Sequence, residues 1–180
     1  MSTLVEKALR IALSAHAGQL RKDGVTPYVT HLVMVALILA KEGCRDEVVA
    51  AGLVHDVLED TDIPESKLRE DLGDEVADIV VAVTHDDSLP WEEKKKKYIE
   101  SVRHASESAK LVATADKIDN LNSLIAGHER MGERVWSMFN RGKEKKMWFE
   151  DEMLQMLKET WQHPFIEQYE ALLREVKKLD

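Results

Sequence analysis

Apolar positions recur every three to four residues along most of the chain, and no segment sustains a period of two. That spacing predicts an all-α, multi-helix fold. Residues 3–17 form the first predicted helix, with Leu4, Ala8, Ile11, Ala12 and Ala15 as its apolar stripe. Thr3 and Glu6 are spaced as a capping box. His31 opens a second helix that ends near Gly43, after the polar loop 19–30, which Gly24 and Pro27 break. Residues 46–58 form a third. Further helices are predicted over 64–72, 74–84, 90–102, 108–125, 133–140, 143–160 and 164–179. The segment 108–125 carries the clearest buried face, Leu111, Val112, Ala115, Ile118, Leu121 and Ile125, with Gly127 as its expected stop. No repeat, low-complexity tract or linker interrupts the pattern, which predicts a single domain over residues 1–180.

Composition narrows the function. Hydrophobic residues make up 44% of the 180 and charged residues 33%, as in a globular domain with a highly charged surface. The net charge of -9 argues against general nucleic-acid binding, which cation contacts to phosphate drive. A small phosphorylated ligand remains compatible if a metal or a local cation cluster offsets the field. Cys44 is the only cysteine, so a reducing compartment is the simpler expectation. Residues 1–15 are amphipathic and lack a cleavage-like tail, and the longest apolar run, 32–40, is far too short to span a bilayer. The expectation is a cytoplasmic protein without membrane contact. The sequence leaves open whether it forms a homo-oligomer.

The densest chemistry lies in Leu53-Val54-His55-Asp56-Val57-Leu58-Glu59-Asp60-Thr61. On one continuous helix His55 and Glu59 share a side, as do Asp56 and Asp60. An isolated His-Asp pair is normally a solvated helix end; the Glu59-Asp60 pair and partners elsewhere reverse that reading. Asp116 follows the apolar run 111–115, and a buried carboxylate needs a partner or a metal. His31, His55, Asp56 and Asp116 together offer two imidazoles and two carboxylates, a set suited to Mn, Fe, Zn or Mg. Such an ion acidifies bound water and orients phosphate, while Glu59 and Asp60 are within reach to order or deprotonate that water. Arg21 and Lys22 supply cations beside His31. Other features read as structural: His16 as a partly buried histidine near a helix end, His85 as a helix end, Lys94 to Lys97 as a solvated face. Trp148, flanked by Lys145 and Lys146, is a candidate pocket wall.

Three motifs in order, Thr26-Pro27-Tyr28 with His31, then His55-Asp56-Val57-Leu58-Glu59-Asp60-Thr61, then Ala115-Asp116-Lys117 with Asn120-Leu121, resemble the HD-domain hydrolases of the RelA/SpoT type. The similarity is greatest to the stand-alone, hydrolase-only members, so no synthetase domain is expected to follow. The resemblance implies an all-helical HD fold and a Mn ion held by His31, His55, Asp56 and Asp116. It implies Glu59 and Asp60 as the catalytic acid pair. It implies removal of the 3′-pyrophosphate from guanosine 3′,5′-bispyrophosphate or its pentaphosphate relative, with Arg21 and Lys22 on base and phosphates and Asn120 on the nucleoside. Four positions depart from the family's usual residues: Leu32 for Pro, Asp119 for His, Asn122 for Arg and Ser123 for Thr. None of these is expected to touch the metal set; the last three should lie beside the nucleoside pocket, Ser123 as a substrate contact. Two other readings share parts of the pattern: an HD phosphohydrolase of another nucleotide, such as a nucleoside monophosphate, and a helical binding module with a decayed site.

Overall fold

A computed structural model describes residues 3–179. Its α-helices are α1 (Thr3–Ala15), α2 (Val29–Lys41), α3 (Asp46–Val54), α4 (Val57–Asp60), α5 (Glu65–Leu72), α6 (Asp74–Val83), α7 (Trp91–His104), α8 (Glu107–Met131), α9 (Gly142–Thr160) and α10 (Pro164–Val176). A 3-10 helix, Gly132–Met138, joins α8 to α9. No strand occurs among the described residues; Leu20 and Pro27 form an isolated antiparallel bridge. None of the helices is long and apolar enough to cross a membrane.

The long helix α8 is the axle. It packs against α2, α3, α6, α7 and α10, and Val112, Ala113, Ala115, Ile118 and Leu121 are all buried. Lys110, Asp116, Lys117 and Asp119 are buried with it, so each must find a partner there.

Several helix boundaries differ from the sequence reading, each for a local reason. The third helix does not run through residue 58. It stops at Val54, His55 and Asp56 form a turn with Asp56 at φ -95 and ψ -2, and α4 restarts at Val57. Both residues keep right-handed helical backbone angles, and His55 Nε2 lies 3.2 Å from Asp56 Oδ2. Gly127 does not stop α8. It sits inside the helix because Val135 of the 3-10 segment packs there: a Cβ on Gly127 would lie 3.0 Å from Val135 Cγ2. The stop is Gly132, at φ 60. In place of the α-helix predicted over 133–140 stands the tighter 3-10 helix Gly132–Met138, which ends two residues earlier. Thr3 lies within α1, and the Glu6 carboxylate accepts from Arg10 at 2.7 and 3.1 Å instead of closing a capping box.

Two features place the site. Gly52 brings α3 close to α2, since a Cβ there would meet Leu39 Cδ1 at 2.6 Å. The loop before α2 is held rather than loose. Arg21 N–H donates to Thr26 O at 2.7 Å and Tyr28 N–H to Gln19 O at 2.8 Å. The Asp23 carboxylate accepts from the Thr26 amide and hydroxyl at 2.8 and 2.6 Å. These bonds keep Asp23 ionised, its pKa down to about 2.

Candidate active site

The side chains of His31 (α2), His55 and Asp56 (the α3–α4 turn) and Asp116 (α8) converge. His31 Nε2 lies 3.1 Å from Asp116 Oδ1 and 3.7 Å from Asp56 Oδ2. His55 Nε2 lies 3.2 Å from Asp56 Oδ2 and 3.8 Å from Asp116 Oδ1. Neighbouring donors around a divalent ion with bonds of about 2.1 Å stand about 3 Å apart, so the spacing suits one. The orientation of the rings suits it too. His31 Nδ1 is engaged by Asp119 Oδ2 at 2.6 Å, and His55 Nδ1 donates to Gly52 O at 2.9 Å. Both Nε2 atoms are thereby turned to the centre of the cluster, and His55 Nε2 is buried without a hydrogen-bond partner. Burial disfavours charge on both rings, yet the neighbouring carboxylates raise both, His55 to about 9. The field in the cluster therefore favours a cation. These donors fit a divalent metal.

Around them stand groups that orient the donors. Tyr28 Oη donates to Asp56 Oδ2 at 2.6 Å. Lys117, itself buried, donates to Asp116 Oδ2 at 2.7 Å, and Asn120 Nδ2 to Asp116 Oδ1 at 2.5 Å. Despite burial, Lys117 and the two imidazoles hold the Asp116 carboxyl well below its ordinary range.

Glu59 and Asp60 sit beside the cluster in unlike surroundings. His85 donates to Glu59 Oε2 twice, from its backbone N–H at 3.2 Å and from Nδ1 at 2.9 Å. His85 Nε2 lies 2.9 Å from Lys95 Nζ, and the ring stacks on Tyr98 at 4.1 Å. Burial opposes ionisation of Glu59, but the bonds from His85 win and its pKa falls to about 2. Asp60 is shifted the other way, by burial and then by the charges of Asp56 and Glu59. His85 does not join the donor cluster, in keeping with its reading as no ligand, yet it is more than a helix end: it fixes Glu59.

All of this opens into a cavity of about 890 Å³. Arg21, Lys22, Asn120 and Ser123 line it. Arg21 donates to Asn120 Oδ1 at 3.1 Å and lies over the Tyr28 ring at 5.7 Å. Lys22 lies over Phe139 at 4.6 Å, and Lys146 over the same ring at 5.7 Å. The cavity lining is also cationic: Lys95 and Lys146 join Lys22 there, while Lys117 is spent on Asp116. Three corrections follow. Lys95 is half-buried and faces the cavity, so the 94–97 run is not simply a solvated face, although Lys94 and Lys97 do pair outside with Asp87 and Asp86. Trp91 rather than Trp148 lines the cavity; Trp148 packs behind it at 5.8 Å. Asp119 does touch the proposed metal set, through His31. Sequence reasoning missed His85, Lys95 and Lys146; Lys146 was visible only as a neighbour of Trp148.

The His16 side chain is buried, as expected, with Nδ1 2.6 Å from Gln19 Oε1 and its ring stacked on Tyr28.

The chain is similar to several known proteins. The protein named guanosine-3′,5′-bis(diphosphate) 3′-pyrophosphohydrolase MESH1 from Drosophila melanogaster is 43% identical over 121 residues, 66% of this chain and 68% of the relative. The guanosine-3′,5′-bis(diphosphate) 3′-pyrophosphohydrolase of Haemophilus influenzae is 38% identical over 120 residues, 63% of this chain but 18% of that longer protein. Among solved structures, one described as a metazoan ortholog of SpoT that hydrolyzes ppGpp superposes with a TM-score of 0.83 at 30% identity, covering 100% of this chain and 98% of the other. Another, lmo0812 from Listeria monocytogenes EGD-e, gives 0.77 at 38% identity over 82% of this chain and 99% of that one. Residues 8–141 match the family described as HD domain, and the chain belongs to that family.

Proposed function

We propose that this chain is a Mn-dependent phosphohydrolase that removes the 3′-pyrophosphate of guanosine 3′,5′-bis(diphosphate) and its pentaphosphate relative, giving GDP or GTP and pyrophosphate. The observation that carries this reading is that one cavity holds both a donor cluster of His31, His55 and Asp116, with Asp56 beside the two imidazoles, and several lysines. A nucleotide with two diphosphates needs both: a divalent ion at the scissile phosphorus and cations along the remaining charge. The names of the relatives support the choice of nucleotide.

His31, His55, Asp56 and Asp116 would hold the metal, which when bound supplies Lewis acidity toward water and phosphate. Water adds to the phosphorus attached to the 3′ oxygen, the bond from that phosphorus to the 3′ oxygen breaks, and the 3′ oxygen leaves with the electron pair and takes up a proton from solvent, which regains one when the carboxylate that deprotonated the water releases it. Asp60, the more basic carboxylate, accepts the proton of the attacking water. Glu59, pinned by His85, accepts a hydrogen bond and orients that water. Lys22, Lys95 and Lys146 neutralise the diphosphates; Arg21, Asn120 and Ser123 border the nucleoside. Every group in this scheme comes from one chain and from one core, which supports a single hydrolase domain.

The test is product analysis by ion-exchange chromatography after incubation with guanosine tetraphosphate and Mn²⁺. GDP and pyrophosphate in equal amounts are expected. Inert tetraphosphate beside rapid release of phosphate from nucleoside monophosphates would replace this reading with that of a different nucleotide phosphohydrolase.

A further inference from the structure

Asp119 stands on α8 one turn after Asp116 and is 5% exposed. The two carboxylates straddle the His31 ring: Asp116 Oδ1 lies 3.1 Å from Nε2 and Asp119 Oδ2 2.6 Å from Nδ1. Its carboxylate is thus committed to a buried imidazole rather than free for a nucleoside. His55 meets the same need differently, with the neutral carbonyl of Gly52 behind its Nδ1. The two histidines of the cluster therefore differ in what stands behind them, one an anion and one an amide.

We propose that Asp119 is a positioning residue for the metal: it holds His31 as the Nδ1–H tautomer, aims the Nε2 lone pair at the donor cluster and makes His31 the stronger of the two imidazole donors. This rests on the metal-dependent reading above. An acceptor behind a ligating histidine fixes its tautomer and raises its basicity, and a carboxylate does so more than a carbonyl. Without Asp119 the ring could turn or take the other tautomer, with its proton facing the cluster.

The experiment is a Mn²⁺ titration of the chelator-stripped full chain, read by loss of the free-ion electron paramagnetic resonance signal. Metal-free melting is recorded for each protein. Asp119→Ala should bind Mn²⁺ about 10- to 100-fold more weakly than the wild type, the usual scale for such partners. Asp119→Asn keeps an oxygen acceptor but loses the charge, so its loss should be smaller; it also decides the matter if the alanine variant fails to fold. A purely structural role would lower the melting temperature and leave the dissociation constant of the folded protein unchanged. Wild-type affinity in a folded Asp119→Asn together with a folded Asp119→Ala overturns the proposal and leaves the metal reading intact. Failure of the wild type to bind Mn²⁺ overturns both.

Discussion

The two walls of the cavity are built by opposite strategies. The carboxylate wall draws on short contiguous motifs, two at helix ends and one in mid-helix: His31 near the start of α2, His55-Asp56 in the turn after α3, and Asp116 inside α8. The cationic wall is gathered from single lysines on a loop and two helices, Lys22, Lys95 and Lys146. The first concentrates charge that an ion would offset; the second concentrates charge that an anion would offset. Each wall alone is electrostatically costly, and a metal polyphosphate ligand relieves both at once. Lys95 shows the cost directly: burial and then the nearby Lys117 lower its pKa to about 7.

Mutations can separate the walls. The largest effect belongs to the carboxylate side. Asp60→Asn and Glu59→Gln should each lower kcat by about 10² to 10⁴, the range of general acid–base groups, with Asp60→Asn the more damaging. Mn²⁺ binding, measured by the same titration, should persist in both. Near-native turnover in both variants would leave water activation to the metal alone. The double variant should lose less than the product of the single losses, because the pair acts on one water.

On the cationic side, Lys146→Met should act mainly through KM. Lys146 is anchored by the fully buried Glu150, which also accepts from Tyr169 Oη, so its ammonium is held at the cavity. A charge-assisted hydrogen bond is worth about 1.5–3 kcal/mol, which predicts a KM raised about 10- to 100-fold with Mn²⁺ affinity unchanged. A variant with unaltered KM and lowered kcat would move Lys146 to the chemical step and blur the distinction between the walls.

The smallest effect is in pH. With its pKa near 7 in the free protein, Lys95 loses its charge as pH rises through that value, so kcat/KM should fall severalfold between about pH 7 and 9. Lys95→Met should flatten that limb. The stability sign is opposite. The folded pKa lies below the unfolded one, so the unfolded chain binds more protons between about pH 7 and 10, and the wild type gains stability with rising pH there. Melting curves of wild type and Lys95→Met across this interval should converge at the alkaline end. Parallel curves would mean that Lys95 keeps its charge in the fold.

Sequence alone determined the helical class, since a 3.6-residue period survives in nearly every segment, and it brought forward His31, His55, Asp56, Glu59, Asp60 and Asp116. These residues stand out because polar groups next to apolar runs are anomalies along the chain. Tertiary structure decided the rest. A helix end such as His85, or one lysine in the run 94–97, has no local mark of its role; only the packing of α7 against α9 and of α6 against α8 turns His85 toward Glu59 and Lys95 into the cavity. Gly127 looks like a helix stop until Val135 arrives from a later segment. Asp119 reads as a neighbour of the nucleoside pocket until His31 of α2 is laid against it. Local periodicity records which side of an element is buried, but which two buried groups meet depends on contacts distant in sequence, and those only the assembled core provides.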